Sequence, residues 1–415
     1  MRPADTQAVR GAVEGAAREC YGRLIAFLSA RTRDVAAAED ALSEALLAAL
    51  TAWPHSGIPK SPEAWLLTTA RRRLTDRARH EKVRDDSALT LEIIAAESLA
   101  FASPDPIPDE RLKLLFVCAH PAIDPDMRTP LMLQVVLGLE SAEIAQAFLV
   151  APGAMGQRLL RAKNKIRHAG IAFEVPEAHE LSERLEAVLN AIYAAYGNGW
   201  EDAAGVDGRA RGLAEEAIWL GRVLFEVMPD EPEVQGLLAL MLHCEARRPA
   251  RRSPDGRFVP LSEQDPKLWS APLMLEAEAL LQSAACAGRP GRFQLEAAIQ
   301  SVHAERARVG RTDWHAIALF HERLVQLSPA LGALVARAAA VAEVKGPGPA
   351  LQLLGDIDPA RVATYQPYWA VRAHLLTGVH RYSEAVEAFD RALGLADDSA
   401  VRRQLLDRLT EISLL

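Results

Sequence analysis

The chain has 415 residues, half of them hydrophobic and a quarter charged, a globular composition that excludes a disordered or fibrous protein. Its length predicts two to four domains at roughly 150 residues each. The four cysteines (Cys20, Cys118, Cys244, Cys286) form no CxxC pair, so neither a zinc ribbon nor a disulfide framework is expected. No apolar run nears the roughly 20 residues of a membrane span. Met1 to Arg10 lacks the basic-then-apolar pattern of a secretory signal, and a cytoplasmic protein without membrane contact is expected.

The net charge of −8 is unevenly spread. Residues 1–172 carry 22 Lys+Arg against 21 Asp+Glu, and residues 173–415 carry 25 against 34. Two basic stretches stand out in the first part. One is Arg71, Arg72, Arg73, Arg77, Arg79, Lys82 and Arg84; the other is Arg158, Arg161, Lys163, Lys165 and Arg167, with no acid between residues 151 and 172. A near-neutral half with basic stripes joined to an acidic half points to a nucleic-acid reader attached to something that does not touch phosphate.

Apolar residues recur with a 3.6-residue period almost throughout, nothing alternates like a strand for long, and Ala and Leu dominate. The expected fold class is all-α. Residues 9–80 form a first helical block with a break at Trp53-Pro54-His55-Ser56-Gly57-Ile58-Pro59. Within it, residues 34–53 make a helix with acidic and apolar faces. The next helix, from Pro62 to Arg77, sets Trp65, Thr68 and Thr69 beside Arg71, Arg72, Arg73, Arg77 and Arg79. Aromatic rings stack on unpaired bases and cations hold phosphates, so this combination suits single-stranded or melted DNA; the alternative is that Trp65 serves the core.

Residues 81–108 are charged and end in Ser103-Pro104-Asp105-Pro106-Ile107-Pro108, which cannot be helix interior and reads as a linker. A second helical block covers 109–172. Leu131, Leu133, Val136 and Leu137 make a helix that stops at Gly138. Ser141 can cap a helix from Ala142 to Phe148 with Ile144 and Phe148 inward. After a turn at Leu149-Val150-Ala151, Pro152 occupies the first position of a long helix. There Met155, Leu159, Ala162 and Ile166 form a buried stripe, while Arg158, Arg161 and Lys165 occupy another face. Gln157 lies near the helix start, where recognition helices meet base edges, and the basic residues farther along would hold phosphates. A solvated basic face is the alternative.

Residues 177–415 continue as a helical region broken at 197–208 and 247–272, the latter around Ser253-Pro254-Asp255-Gly256. Trp369, Ala373, Leu376, Ala385 and Phe389 recur 35 residues earlier as Leu334, Ala338, Val341, Ala350 and Leu354. A period near 34 with small residues where two helices meet resembles the tetratricopeptide repeat, with a generic helical bundle as the alternative.

The order of parts in residues 9–170 resembles the extracytoplasmic-function sigma factors of bacterial RNA polymerase: an Ala-Glu-Asp-Ala-Leu helix at 38–42, the Trp65-Leu66-Leu67-Thr68-Thr69-Ala70-Arg71 helix, a linker and a helix-turn-helix. The remainder is similar to the long tetratricopeptide-bearing extension of one subgroup. The resemblance implies that Glu39, Asp40, Leu42 and Glu44 dock on the β′ subunit of core polymerase. It also implies that Trp65 to Arg79 recognise and open the −10 promoter element, and that residues 128–167 read the −35 element while binding the β subunit. A regulatory protein is a candidate partner of the extension. This chain departs from the family pattern at the start of the recognition helix, where Ala151-Pro152-Gly153-Ala154 replaces the usual Pro-Glu-x-Thr.

No GxxxxGK[ST] phosphate loop, GxSxG elbow or HExxH helix occurs, so no catalytic residue, cofactor or metal site is expected. Two functional readings remain. One is a promoter-recognition subunit with a regulatory extension. The other is a sigma-like scaffold with degenerate DNA readout that acts through protein partners.

Overall fold

The structure is a computed structural model that describes residues 6–82, 110–148, 150–176, 178–201, 208–255, 257–396 and 398–413. Among these residues it contains nineteen α-helices and no strand, as the apolar periodicity predicts. The chain divides into two compact units, Met1–Ala195 and Tyr196–Leu415.

The first unit opens with three packed helices, α1 (Thr6–Thr32), α2 (Val35–Ser56) and α3 (Pro62–Lys82). Asp34 caps α2, its carboxylate accepting from the Ala37 N–H at 3.1 Å. Ala38, Ala41, Ala45 and Ala49 are all buried, and these small side chains let α1 and α3 close on α2. The break expected at Trp53 comes later: α2 runs through Pro54 and stops at Gly57, whose φ is 84°. Pro54 lies in the last turn of α2, so it removes only the helix bond to the carbonyl of Leu50, whose residue is 40% exposed. Linker residues 83–108 lie outside the described residues.

The rest of this unit is α4 (Arg111–Cys118), α5 (Pro125–Val135), α6 (Ser141–Ala147), α7 (Pro152–His168) and the part of α8 (Ala178–Glu201) up to Ala195. Every residue of α4 except Lys113 is buried, as befits a helix apolar nearly all round. Past α5, Gly138 adopts φ 68° and closes the turn: its N–H bonds the Gln134 carbonyl, and the Leu139 N–H bonds the Leu133 carbonyl, each at 3.0 Å. α6 starts at Ser141 rather than Ala142 and ends at Ala147. Phe148 therefore leaves the helical face and is 37% exposed instead of inward, whereas Ile144 is buried as expected. Leu149 lies outside the described residues.

The second unit contains α9 (Gly208–Val227), α10 (Pro232–Ala246), α11 (Ala271–Cys286), α12 (Arg292–Val309) and α13 (Trp314–Leu327). It continues with α14 (Leu331–Lys345), α15 (Pro347–Gly355), α16 (Pro359–Val362), α17 (Gln366–Gly378), α18 (Tyr382–Gly394) and α19 (Ser399–Ser413). The break expected at 197–208 is shorter, since α8 stays helical to Glu201 and α9 starts at Gly208. α10 is buried along nearly its whole length, and its Glu233 caps a neighbour: the carboxylate accepts from the backbone N–H groups of Phe293 and Gln294 at 3.0 and 3.1 Å, at the start of α12. The long loop between α10 and α11 folds into three 3₁₀ turns. The Arg306 guanidinium pins it, donating to the carbonyls of Ser262 and Gln264 and lying 5.2 Å from the Trp269 ring centroid. The positions of the 35-residue repeat fill two neighbouring cores, with Ala338, Ala350 and Leu354 in one and Ala373, Leu376, Ala385 and Phe389 in the other.

Three histidines of this unit are set inside it. Burial lowers His243, His303 and His321 to about 4 each, with Arg247 adding to the effect at His243 and His303; Glu278 lies 3.4 Å from His243. The folded state thus binds fewer protons than the unfolded chain, whose histidines titrate near the ordinary 6.5. Stability present above pH 6.5 is then lost as the pH falls towards 4. Acid unfolding followed by tryptophan fluorescence should show the C-terminal unit destabilised in that window, and His243→Gln should flatten the profile.

Candidate nucleic-acid interface

α7 sorts its side chains as its period dictates. Met155, Leu159, Ala162 and Ile166 are buried at 7% exposure or less, while Gln157, Arg158, Arg161 and Lys165 are all exposed. Pro152 opens the helix at a position whose N–H needs no partner. Added Cβ atoms at Gly153 and Gly156 would meet nothing within 4 Å, so packing does not demand glycine there. Their absence of side chains instead leaves the outer face of the helix open to a close neighbour. Leu160, which the sequence reading passed over, stands 55% exposed one turn beyond Gln157 on that face. Its place off the apolar stripe was the available signal.

On α3, Trp65 is neither free nor fully core. It is half-buried, with its ring edge-to-face on the buried Trp53 at a centroid distance of 5.5 Å. Thr68 is exposed and Thr69 half-buried, and each hydroxyl donates to the carbonyl four residues back. Arg71 is half-buried with its guanidinium 5.7 Å from the Phe27 ring centroid. Arg72, Arg73 and Arg77 are exposed. Arg73 pairs with Glu44 at 3.4 Å and Arg77 with Asp40 at 2.9 Å. The side chain of Arg79 lies outside the described residues.

α2 differs most from the expectation. Leu42, expected to dock a partner, is 1% exposed and belongs to the core, because it shares the helix face of Ala38, Ala41 and Ala45. Leu47 and Leu50, 64% and 40% exposed, are the apolar side chains α2 presents to solvent. Glu39 is not free either. Its carboxylate meets the Lys163 ammonium of α7 at 2.5 Å and the Tyr21 hydroxyl at 3.4 Å. Burial pushes the Glu39 carboxyl above the usual range, outweighing the opposing pull of Lys163 and Tyr21. Arg167 of α7 reaches Asp34 at 3.3 Å. The sequence gives no sign of these pairs, whose members lie more than 120 positions apart.

Three helices with a basic third member, followed by a helix-turn-helix with a basic second helix, define a DNA-binding transcription protein. Comparison with known families makes this specific. Sigma-70 region 2 matches residues 16–84, and sigma-70 region 4 matches residues 113–166. The chain carries sigma-70 region 2 and region 4 domains, which support a sigma factor's role in promoter recognition. A family of unknown function (DUF6596) matches residues 184–285. The chain is also similar to an uncharacterized protein of Rhizobium meliloti (strain 1021), 37% identical over 98% of this chain and 96% of the relative, so the extension is shared as well. No solved structure matches the chain. Among the described residues no helix is long and apolar enough to cross a membrane, and no group of His, Cys, Asp and Glu could hold a metal ion.

Proposed function

We propose that the chain is a sigma factor of the extracytoplasmic-function kind that binds core RNA polymerase and selects its promoters, with a tetratricopeptide-like extension that binds a regulatory protein. The exposed basic face of α7 carries this reading, with Gln157 outermost near the helix start and Arg158, Arg161 and Lys165 beside it. α3 supplies Trp65, Thr68, Thr69 and its arginines for the opened −10 strand, with the half-buried Trp65 ring as the platform on which a base would stack. Polymerase docking falls to α2 through the exposed Asp40, Glu44, Leu47 and Leu50, with Glu39 beside them paired to Lys163. The helix pairs in the second unit, packed through small residues at a 35-residue offset, support the repeat reading of the extension.

The test is reconstitution. The purified chain should retain β and β′ in stoichiometric amounts from a bacterial core-polymerase preparation and start abortive transcripts on genomic promoter fragments. The second reading, a scaffold with degenerate readout, is favoured by Gly153 and Ala154 at the expected base-reading positions. It requires stoichiometric protein partners and no initiation at any fragment.

A further inference from the structure

The chain leaves α7 through a glycine turn. Gly170 adopts φ 62°, the Ile171 N–H reaches back to the Ile166 carbonyl at 3.4 Å, and Ile171 is buried. The segment from Ile171 to Pro176, the turn after α4 and the first two turns of α8 border a cavity of about 490 Å³, within the roughly 300–1,000 Å³ of small-molecule sites. Its most buried charged group is Arg184 of α8, whose side chain is 8% exposed. The guanidinium donates to the Phe116 carbonyl at 3.4 Å and to the Glu180 carboxylate at 2.9 Å, and its buried Nε has no hydrogen-bond partner among the described residues. A guanidinium carries more donors than these contacts use. His120 lines the same cavity. Its Nδ1 accepts from the Ala122 N–H at 3.0 Å, and burial together with Arg184 lowers its pKa, so the neutral ring keeps its proton on Nε2 as a further donor. Of opposite charge are Glu180, 45% exposed, and the exposed Glu174.

We propose that this cavity binds a small zwitterion, an amino acid or a short peptide, with its carboxylate on Arg184 and His120 and its ammonium on Glu174 and Glu180. The charges select this class. A simple anion meets two carboxylates, and a simple cation meets a buried guanidinium, so each is repelled by one side of the site. A molecule with both charges satisfies both sides. Guanidinium and carboxylate form short charge-assisted bonds, and a buried guanidinium gains most from them because little water competes. Glu180 meets Arg184 through Oε2, which leaves Oε1 for the ammonium. Ile171 and Pro176, both buried, supply an apolar wall for the aliphatic part. Apart from His120, the site follows the end of the region 4 match at residue 166, so promoter binding does not account for it.

Isothermal titration calorimetry of the full-length chain with each proteinogenic amino acid in turn, and with tri-alanine, tests the site. At least one of these probes should bind. Removing either its ammonium or its carboxylate should weaken it about tenfold or more, the scale of one charge-assisted contact. Glu174→Gln should weaken the zwitterion by the same factor while leaving the binding of its deaminated acid unchanged, a split that a merely structural role would not produce. Glu174 is exposed, so this variant keeps the fold even where Arg184→Gln does not. Binding of free amino acids alone, or of tri-alanine alone, supports the site and tells the two sources apart. No heat with any probe overturns the proposal, as does binding that survives the loss of either charge or is indifferent to Glu174→Gln.

Discussion

Replacing Arg158, Arg161 and Lys165 together by alanine should weaken promoter binding by the polymerase-bound chain about 100-fold at 0.15 M salt. Each cation that neutralises a phosphate contributes about 0.9 to the slope of log affinity against log salt, about fivefold per contact at that concentration. The slope should therefore fall by nearly three. Stability should hardly change, because all three side chains are exposed and the stripe that folds α7 is Met155, Leu159, Ala162 and Ile166. Gln157→Ala separates position from readout. It removes an amide able to bond an adenine edge, so it should lose about 1–3 kcal/mol of discrimination at one base pair with no change in the salt slope. Filter binding across a salt series, with one promoter and its single-pair variants, measures both. An unchanged slope in the triple variant would mean that this face does not lie on DNA.

Local chemistry made most of the helices legible. Pro152 at a helix start, Gly138 as a helix stop and the spacing of Met155, Leu159, Ala162 and Ile166 each act within a few residues, where sequence and structure correspond closely. The errors share a cause. Phe148 and Leu42 were assigned by type and neighbourhood, but one turn of helix more or less decides which way a side chain faces. α6 stops one residue early, and Leu42 lies on the alanine face of α2 rather than beside Glu44. Pro54 is tolerated because it falls in the last turn of α2, so a proline marked the break about three residues early. The pairing of Lys163 with Glu39 had no local trace at all. It depends on how two blocks separated by a linker come together, and a charge pattern shows that partners are needed without showing which.

Trp53→Ala should cost about 3–5 kcal/mol and lower the melting temperature of the first unit by roughly 10 °C or more. Trp53 is wholly buried where α2 meets α3, and its loss leaves a cavity the size of an indole beneath Trp65. The ring contact adds its own share, since edge-to-face aromatic pairs contribute about 0.5–1.5 kcal/mol beyond burial. Trp53→Phe should recover most of this, because the indole Nε1 has no hydrogen-bond partner and the phenyl ring loses only volume. Trp65→Ala should behave in the opposite sense. A half-buried ring contributes less to folding, whereas one base stacked on it is worth about 1–3 kcal/mol, so promoter opening should fall by an order of magnitude or more at nearly native melting temperature. Scanning calorimetry with permanganate footprinting of the opened strand distinguishes the two tryptophans. Should Trp65→Ala melt early and open DNA normally, its ring belongs to the core with Trp53, and the −10 strand is held by the arginines of α3 alone.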